Sequence, residues 1–266
     1  MLHPTAIISA EAIIHPTAEI GAYVIIEGAV KIGAGCKIAP HAQIVGDTVI
    51  ADGTSIGRGA IIGETPQDTS FTDEIKSGVR IGKNNIIREH VTIHRSAKEG
   101  GMTTIGDDNF LMVGAHLGHD VTVGDNCIFA NDALIAGHVN IGSNTFIGGG
   151  AVFHQFLRIG DNCVVQGNGS FSKDIPHFCA AQRINRVTGL NVIGLRRAGF
   201  STQDRIALKE AFDLIFRSGL NLSQAIATAR EKTWPEQAEK FLRFIEAPTK
   251  KGVCQFRPGR GNDGEG

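Results

Sequence analysis

Aliphatic residues return at every sixth position along most of this chain. From Ile8 the register runs through Ile14, Ile20, Ile26, Ile32, Ile38, Ile44, Ile50, Ile56 and Ile62, ten isoleucines in succession. It resumes at Ile81, Ile87 and Ile93, and again from Ile105 through Leu111, Leu117, Val123, Phe129, Ile135, Ile141, Ile147, Phe153 and Ile159 to Val165. Two residues before these sites sits a second class, mostly small, including Ala18, Cys36, Ala42, Ala60, Ala115, Cys127 and Ala133. Two inward positions in six fit neither a helix of period 3.6 nor one long alternating strand. They fit short strands joined by tight turns, with glycine and asparagine where a turn needs positive φ.

Three such hexads close an eighteen-residue triangular coil, and stacked coils pair as parallel strands about 4.8 Å apart. The 24 aliphatic register sites then give eight coils and a column about 40 Å tall. The expected fold is mainly β: a parallel β-helix over residues 1–188. Only 6% of residues are aromatic, which suits a narrow, uniformly filled core. The period does not give the hand of the coil, and parallel crossovers are ordinarily right-handed.

Two interruptions break the register. Thirteen extra residues separate Ile62 from Ile81, and one hexad between Ile93 and Ile105 gives way to a glycine-rich loop over residues 96–101. Loops expelled from a rigid column are where function concentrates. Beyond Pro176 the pattern becomes helical, with amphipathic segments at residues 202–218, 222–232 and 235–246, the first capped by Ser201 or Thr202 and closed by Gly219. Residues 189–247 should therefore form a helical cap, and the glycine-rich residues 248–266 a disordered tail.

A net charge of −1 gives no field for nucleic acid, and no apolar run is long enough for a signal peptide or membrane span. The five cysteines, without a Cys-x-x-Cys pair, read as reduced thiols in a cytoplasm, and Cys36, Cys127 and Cys163 fall at the small inward site as core filler.

The chemistry lies in the histidines. Reduced onto an eighteen-residue coil, His116, His119, His138 and His154 fall within a five-residue arc, on neither inward register. They should project outward along one corner, with His119 and His138 one coil apart and His154 about 10 Å from them. Imidazole titrates near neutrality and suits a general base acting on a hydroxyl. Asp120 could hold the tautomer of His119, and Gly137 could offer an unobstructed N–H to a developing oxyanion. With no serine or cysteine placed as a nucleophile, direct transfer to an acceptor is the simpler scheme. Metal binding by the same histidines is a second reading, although no familiar zinc spacing is present.

The run from Asn109 to Asp120 (NFLMVGAHLGHD) resembles the core motif of the acyl-carrier-protein-dependent UDP-N-acetylglucosamine O-acyltransferases, the first enzymes of lipid A synthesis. So do the stretches Gly63 to Asp68, Arg88 to Arg95, Ala136 to His138, His154 to Phe156 and Gly194 to Phe200, in the same order over about 245 residues. The resemblance implies a left-handed β-helix, a homotrimer with sites between subunits, and no cofactor or metal. It assigns His119 as base on the sugar 3-hydroxyl, Asp120 as its partner and Gly137 as oxyanion donor. His116, His138 and His154 would line the substrate groove, Gln67 and Asp68 would touch the sugar nucleotide, and Arg197 would lie near the nucleotide. Gly167 would stand where acyl-chain length is set. The donor it implies is a 3-hydroxyacyl thioester on acyl carrier protein, received in part by Arg183, Arg186, Arg196 and Arg197.

Three positions depart from the family pattern: Ser70 for a lysine, Asn185 for a histidine and Ile193 for a glutamate. All lie on the acceptor side, so a 3-amino sugar acceptor giving an amide is an alternative. Two further readings of the scaffold are a metal-dependent hydratase and a non-catalytic assembly module.

Overall fold

The computed structural model describes residues 1–256. Its three sheets form the faces of a prism, parallel throughout except where Cys179–Gln182 pairs antiparallel with Arg186–Leu190. Face I has nine strands, from Ile7–Ile8 to Ser170–Phe171, and face II has eight, from Ile13–Ile14 to Arg158–Ile159. Face III begins at Glu19–Ile20 and includes eleven strands. Most strands are only two residues long because each rung must turn at a corner before a third residue can pair. The aliphatic ladder runs in register: Ile26 pairs with Ile44, Ile44 with Ile62, and Leu117 with Ile135.

The hexad sites are the core. From Ile20 to Val165 every site named above is buried, whereas Ile8 and Ile14, on the first coil, are only half-buried. Each such side chain contributes about 1.5–3 kcal/mol by leaving water. The small inward sites also admit polar groups where these are satisfied. The Asn85 side-chain carbonyl accepts from Asn109 N–H at 2.9 Å, and that of Asn109 from Cys127 N–H at 2.7 Å. All five cysteines are free and buried.

Neither interruption removes a strand. Strand Gly78–Ile81 pairs with both Asp47–Ile50 and Met102–Ile105, so the second break is a six-residue loop added at a corner and not a lost hexad. Both loops leave the corner between faces I and II.

The cap comprises α1 (Val192–Arg197), α2 (Thr202–Arg217), α3 (Leu222–Ala229) and α4 (Glu236–Glu246). The last three match the amphipathic segments, and Ser201 caps α2 in a reciprocal box with Asp204. The short α1 had no comparable periodic signal. Lys240 on α4 pairs with Asp161 of the column, as does His177 at 3.4 Å. Burial would raise the Asp161 carboxyl, but the hydrogen bonds from His177 and Lys240 outweigh it and hold it well below the carboxylate range.

The expected tail is ordered over residues 248–256. Cys254 is buried, and strand Gln255–Phe256 adds in parallel to Arg186–Leu190. The expectation for residues 257–266 lies outside the described residues. No helix among the described residues is long and apolar enough to cross a membrane.

Because each rung leans on its neighbours, one truncation in the ladder should be costly. Ile135→Ala is expected to lower unfolding free energy by about 2–5 kcal/mol. A shift in the urea midpoint equivalent to under about 1 kcal/mol would contradict this packing.

Candidate active site

Asp120, His138 and Phe156 occupy one turn position on three consecutive coils, eighteen residues apart. All three hold left-handed backbone, with φ of 59°, 60° and 66°. The corner stacks them through main-chain bonds: His138 N–H donates to the His119 carbonyl at 2.9 Å, and Phe156 N–H to that of Gly137 at 3.1 Å. The histidine corner foreseen from the arithmetic is therefore built by the register itself.

His119 is 8% exposed, and its Nδ1 lies 2.8 Å from Asp120 Oδ2. A carboxylate only accepts, so Nδ1 carries the proton and Nε2 is left for chemistry. That Nε2 points at Gly137, where an added Cβ would stand 2.5 Å away. The Gly137 N–H donates no hydrogen bond among the described residues. A base and an open donor thus face one small volume.

Asp120 is held from several sides. Ser96 Oγ donates to Oδ1 at 2.6 Å, Ala97 N–H donates to Oδ2 at 3.0 Å, and Lys98 Nζ stands 3.9 Å from Oδ1. Its own N–H donates to Thr103 Oγ1 at 2.9 Å. Burial would raise this carboxyl, but hydrogen bonds from Ser96, His119 and Ala97 together keep it below the usual range. Sequence reasoning missed Ser96 and Lys98, although the broken register over residues 96–101 marked their loop.

His138 meets His119 edge-on, with centroids 4.9 Å apart, and stacks flat on Phe156 at 4.4 Å. Its Nδ1 is 3.8 Å from Asp120 Oδ2. Burial lowers its pKa most; Asp120 opposes that, and the positive fields of Lys98 and His119 add to it. His116 lies on face I, where its Nδ1 meets Thr92 Oγ1 at 2.8 Å and its ring meets His94 at 5.3 Å. His154 is exposed at the same corner, two residues before Phe156.

The long loop returns to this corner. His94 Nδ1 donates to the Thr65 carbonyl, Arg95 N–H to the Glu64 carbonyl at 3.0 Å, and the Arg95 guanidinium lies 5.1 Å from the Phe71 ring centre. Between these anchors, Gln67 is exposed and Asp68 accepts from Ser70 N–H and Oγ at 2.9 and 2.8 Å. Those bonds lower the Asp68 carboxyl, and the fields of His119 and His138 lower it further. Ser70, one of the departures, is thus the residue that orients Asp68.

Two of the foreseen residues are not at this corner of the chain. Gly167 sits in the turn from face III to face I, close to the backbone of Gly148 and Gly149, and a Cβ there would lie 2.8 Å from the Gly149 carbonyl. Arg197 is exposed on α1. Of the other departures, Ile193 is exposed, whereas the Asn185 side chain clasps Ser172, accepting from its N–H at 2.7 Å and donating to its Oγ at 2.8 Å.

Ligand atoms of His119, Asp120 and His138 all lie within 4.8 Å of one another. The Asp120 oxygens, however, already accept from Ser96, Ala97 and His119, so the group is closed on itself by hydrogen bonds.

This architecture defines a hexapeptide-repeat transferase, and a model of bacterial transferase hexapeptides matches residues 11–46 and 102–137. A model described as UDP-N-acetylglucosamine O-acyltransferase, domain 2, matches residues 174–254. An acyl-[acyl-carrier-protein]–UDP-N-acetylglucosamine O-acyltransferase from Thermodesulfovibrio yellowstonii is 43% identical over 96% of this chain and 99% of its own length. Among solved structures, the UDP-N-acetylglucosamine acyltransferase of Bacteroides fragilis is 38% identical with a TM-score of 0.91, covering 95% of this chain and 99% of that one. The enzyme of Acinetobacter baumannii is 37% identical with a TM-score of 0.90, covering 96% and 99%. The chain belongs to the UDP-N-acetylglucosamine O-acyltransferase family, and its column is a left-handed parallel β-helix.

The site makes a testable electrostatic statement about His116. Burial, with the neighbouring His94, pushes its pKa down to about 4. An unfolded histidine titrates near about 6.5, so between these values the unfolded chain binds the extra proton and stability falls as pH falls. An imidazole NMR titration should place the His116 midpoint near about 4; a midpoint near about 6.5 would contradict the buried, neutral ring.

Proposed function

We propose that this chain transfers a 3-hydroxyacyl group from acyl carrier protein to the 3-hydroxyl of UDP-N-acetylglucosamine, with His119 as general base. The observation that carries the mechanism is the pair formed by His119 Nε2 and the open Gly137 N–H, with Asp120 behind the ring. His119 Nε2 takes the hydroxyl proton while the sugar oxygen attacks the thioester carbonyl carbon. Gly137 N–H donates to the oxyanion, and Asp120 accepts from Nδ1–H and stabilises the imidazolium. On collapse the C–S bond breaks, and the thiolate of the carrier arm leaves with the proton from Nε2.

His116, His138 and His154 line the groove, and Asp68 and Gln67 meet the sugar nucleotide from the long loop. The Asp68 carboxylate, aimed by Ser70, supports that placement. Arg197 serves the nucleotide, and Gly167 stands where acyl-chain length is set, its missing side chain leaving room for a longer chain. Both lie away from the histidine corner of their own chain, which supports a site completed by a neighbouring subunit.

A homotrimer is the assembly we infer. Face III carries an outward apolar stripe, Ile86, Phe110, Ile128, Phe146 and Val164, paired rung on rung. Ile86 is 48% and Phe146 39% exposed, more contiguous apolar surface than an isolated column would keep in water. A carrier-protein donor, a nucleotide-sugar acceptor and five reduced cysteines fit a cytoplasmic enzyme of lipid A synthesis.

Incubating the purified chain with 3-hydroxyacyl carrier protein and either UDP-N-acetylglucosamine or its 3-amino analogue should give an ester with the first. Product from the amino sugar alone would overturn the acceptor assignment. His119→Ala should lower kcat by about 10²–10⁴-fold while sugar-nucleotide binding is kept. Normal turnover by that variant would remove His119 from the chemistry.

A further inference from the structure

The segment after α4 brings two lysines to the histidine corner. Lys251 Nζ stands 3.4 Å from His154 Nδ1, and Lys250 Nζ lies 5.2 Å from the centre of the Phe156 ring. The Phe156 ring leads on into the site, because it stacks on His138 at 4.4 Å and His138 meets His119 at 4.9 Å. A line of rings therefore joins Lys250 to the base. A third cation, Lys173, is near: its Nζ lies 3.6 Å from the point that a Cβ on Gly252 would occupy.

The backbone that carries these lysines is fixed on both sides. Thr249 Oγ1 accepts from Lys251 N–H at 3.1 Å and from Gly252 N–H at 3.2 Å. Gly252, at φ 71°, turns the chain so that its carbonyl accepts from Asp174 N–H at 2.9 Å. Cys254 N–H then donates to the Asp174 carbonyl at 2.9 Å, and Gln255 N–H to that of Asn185 at 3.1 Å. Asp174 itself is buried and committed to Arg158 at 2.8 Å, so it does not neutralise the lysines.

Among the described residues none of Lys173, Lys250 and Lys251 has a carboxylate within ion-pair distance, 4.0 Å. Lys250 and Lys251 thus stand beside Phe156 and His154, Lys173 lies beside Gly252, and the carboxylates of Asp120 and Asp174 are already taken by other donors. Cations held on an ordered backbone without counter-charge add to one local positive field, which an incoming anion meets without first breaking an ion pair.

We propose that Lys250 and Lys251, with Lys173 behind them, form a phosphate-binding strap at the end of the cleft, for a phosphate carried by one of the two substrates. This deepens the acyl-transfer reading and rests on it. The chemistry of both candidates is a phosphodiester or diphosphate: the diphosphate of the sugar nucleotide, or the phosphate that joins the carrier arm to its protein. Because ammonium groups bind as point charges, an arginine pair should substitute in large part. Lys251 also sets His154: when Nδ1 accepts from the ammonium, the ring's proton sits on Nε2, away from the strap.

The test is equilibrium binding to the full chain, read separately from turnover. Wild type, the double variant Lys250→Ala/Lys251→Ala and the double variant Lys250→Arg/Lys251→Arg are titrated with UDP-N-acetylglucosamine, with holo carrier protein and with apo carrier protein, which lacks the arm and its phosphate. The alanine pair should weaken one phosphate-bearing ligand by about tenfold or more and flatten its salt dependence. The arginine pair should stay within about threefold of wild type. Loss for the sugar nucleotide assigns its diphosphate; loss for holo but not apo carrier assigns the arm. Unchanged affinity for both in the alanine pair overturns the strap, as does an equal loss for apo and holo carrier with none for the sugar nucleotide. If wild type binds both ligands and makes ester, the acyl-transfer reading survives that failure; if it binds neither, both fall together.

Discussion

Every feature of this protein depends on a six-residue register that puts one aliphatic side chain inward per rung. The ladder of Ile26, Ile44 and Ile62 and its continuation through Leu117 and Ile135 fix the height of each turn relative to the next. Any side chain placed at a corner is then repeated in space at the spacing of parallel strands, about 4.8 Å. Imidazoles and a carboxylate set eighteen residues apart become neighbours without any loop having to find its partner. Asp120, His138 and Phe156 are stacked this way, and His119 is drawn in beside them.

The rigidity of the ladder also explains where irregular backbone is tolerated. Extra residues at 65–77 and 96–101 leave the corner without disturbing the strands on either side, since Gly78–Ile81 and Met102–Ile105 still pair in full register. Each loop then returns a donor or acceptor to the site. Ser96 and Ala97 hold Asp120 from one loop, and Asp68, aimed by Ser70, comes from the other. The column supplies positions, and the loops supply the polar groups that tune them.

Much of this was legible in the sequence because a period of six with two inward sites admits few folds. The ladder, the histidine corner and helices α2 to α4 all carry their signal in a fixed spacing along the chain. What escaped was tertiary. The strand Gln255–Phe256 is two residues long and exists only because Gly252 turns the chain beside Asp174, so its glycine-rich surroundings read as disorder. Helix α1 is six residues with Gly194 inside it, too short to show a face. The six added residues after Arg95 looked like a missing hexad, because spacing alone cannot tell an inserted loop from a deleted strand. Lys250 and Lys251 reach His154 and Phe156 across nearly a hundred residues, which no local pattern encodes.

In the neutral His119 ring Asp120 fixes the proton on Nδ1, leaving Nε2 free beside Gly137 N–H. Long-range nitrogen–proton correlation NMR on chain labelled at histidine nitrogens reads this directly, with His119→Gln used to assign the signal. The expected spectrum has a protonated Nδ1 with a strongly deshielded proton, a bare Nε2 in the neutral ring, and loss of that deshielding in Asp120→Asn. A neutral His119 carrying its proton on Nε2 would contradict it, because no lone pair would then face the acceptor hydroxyl.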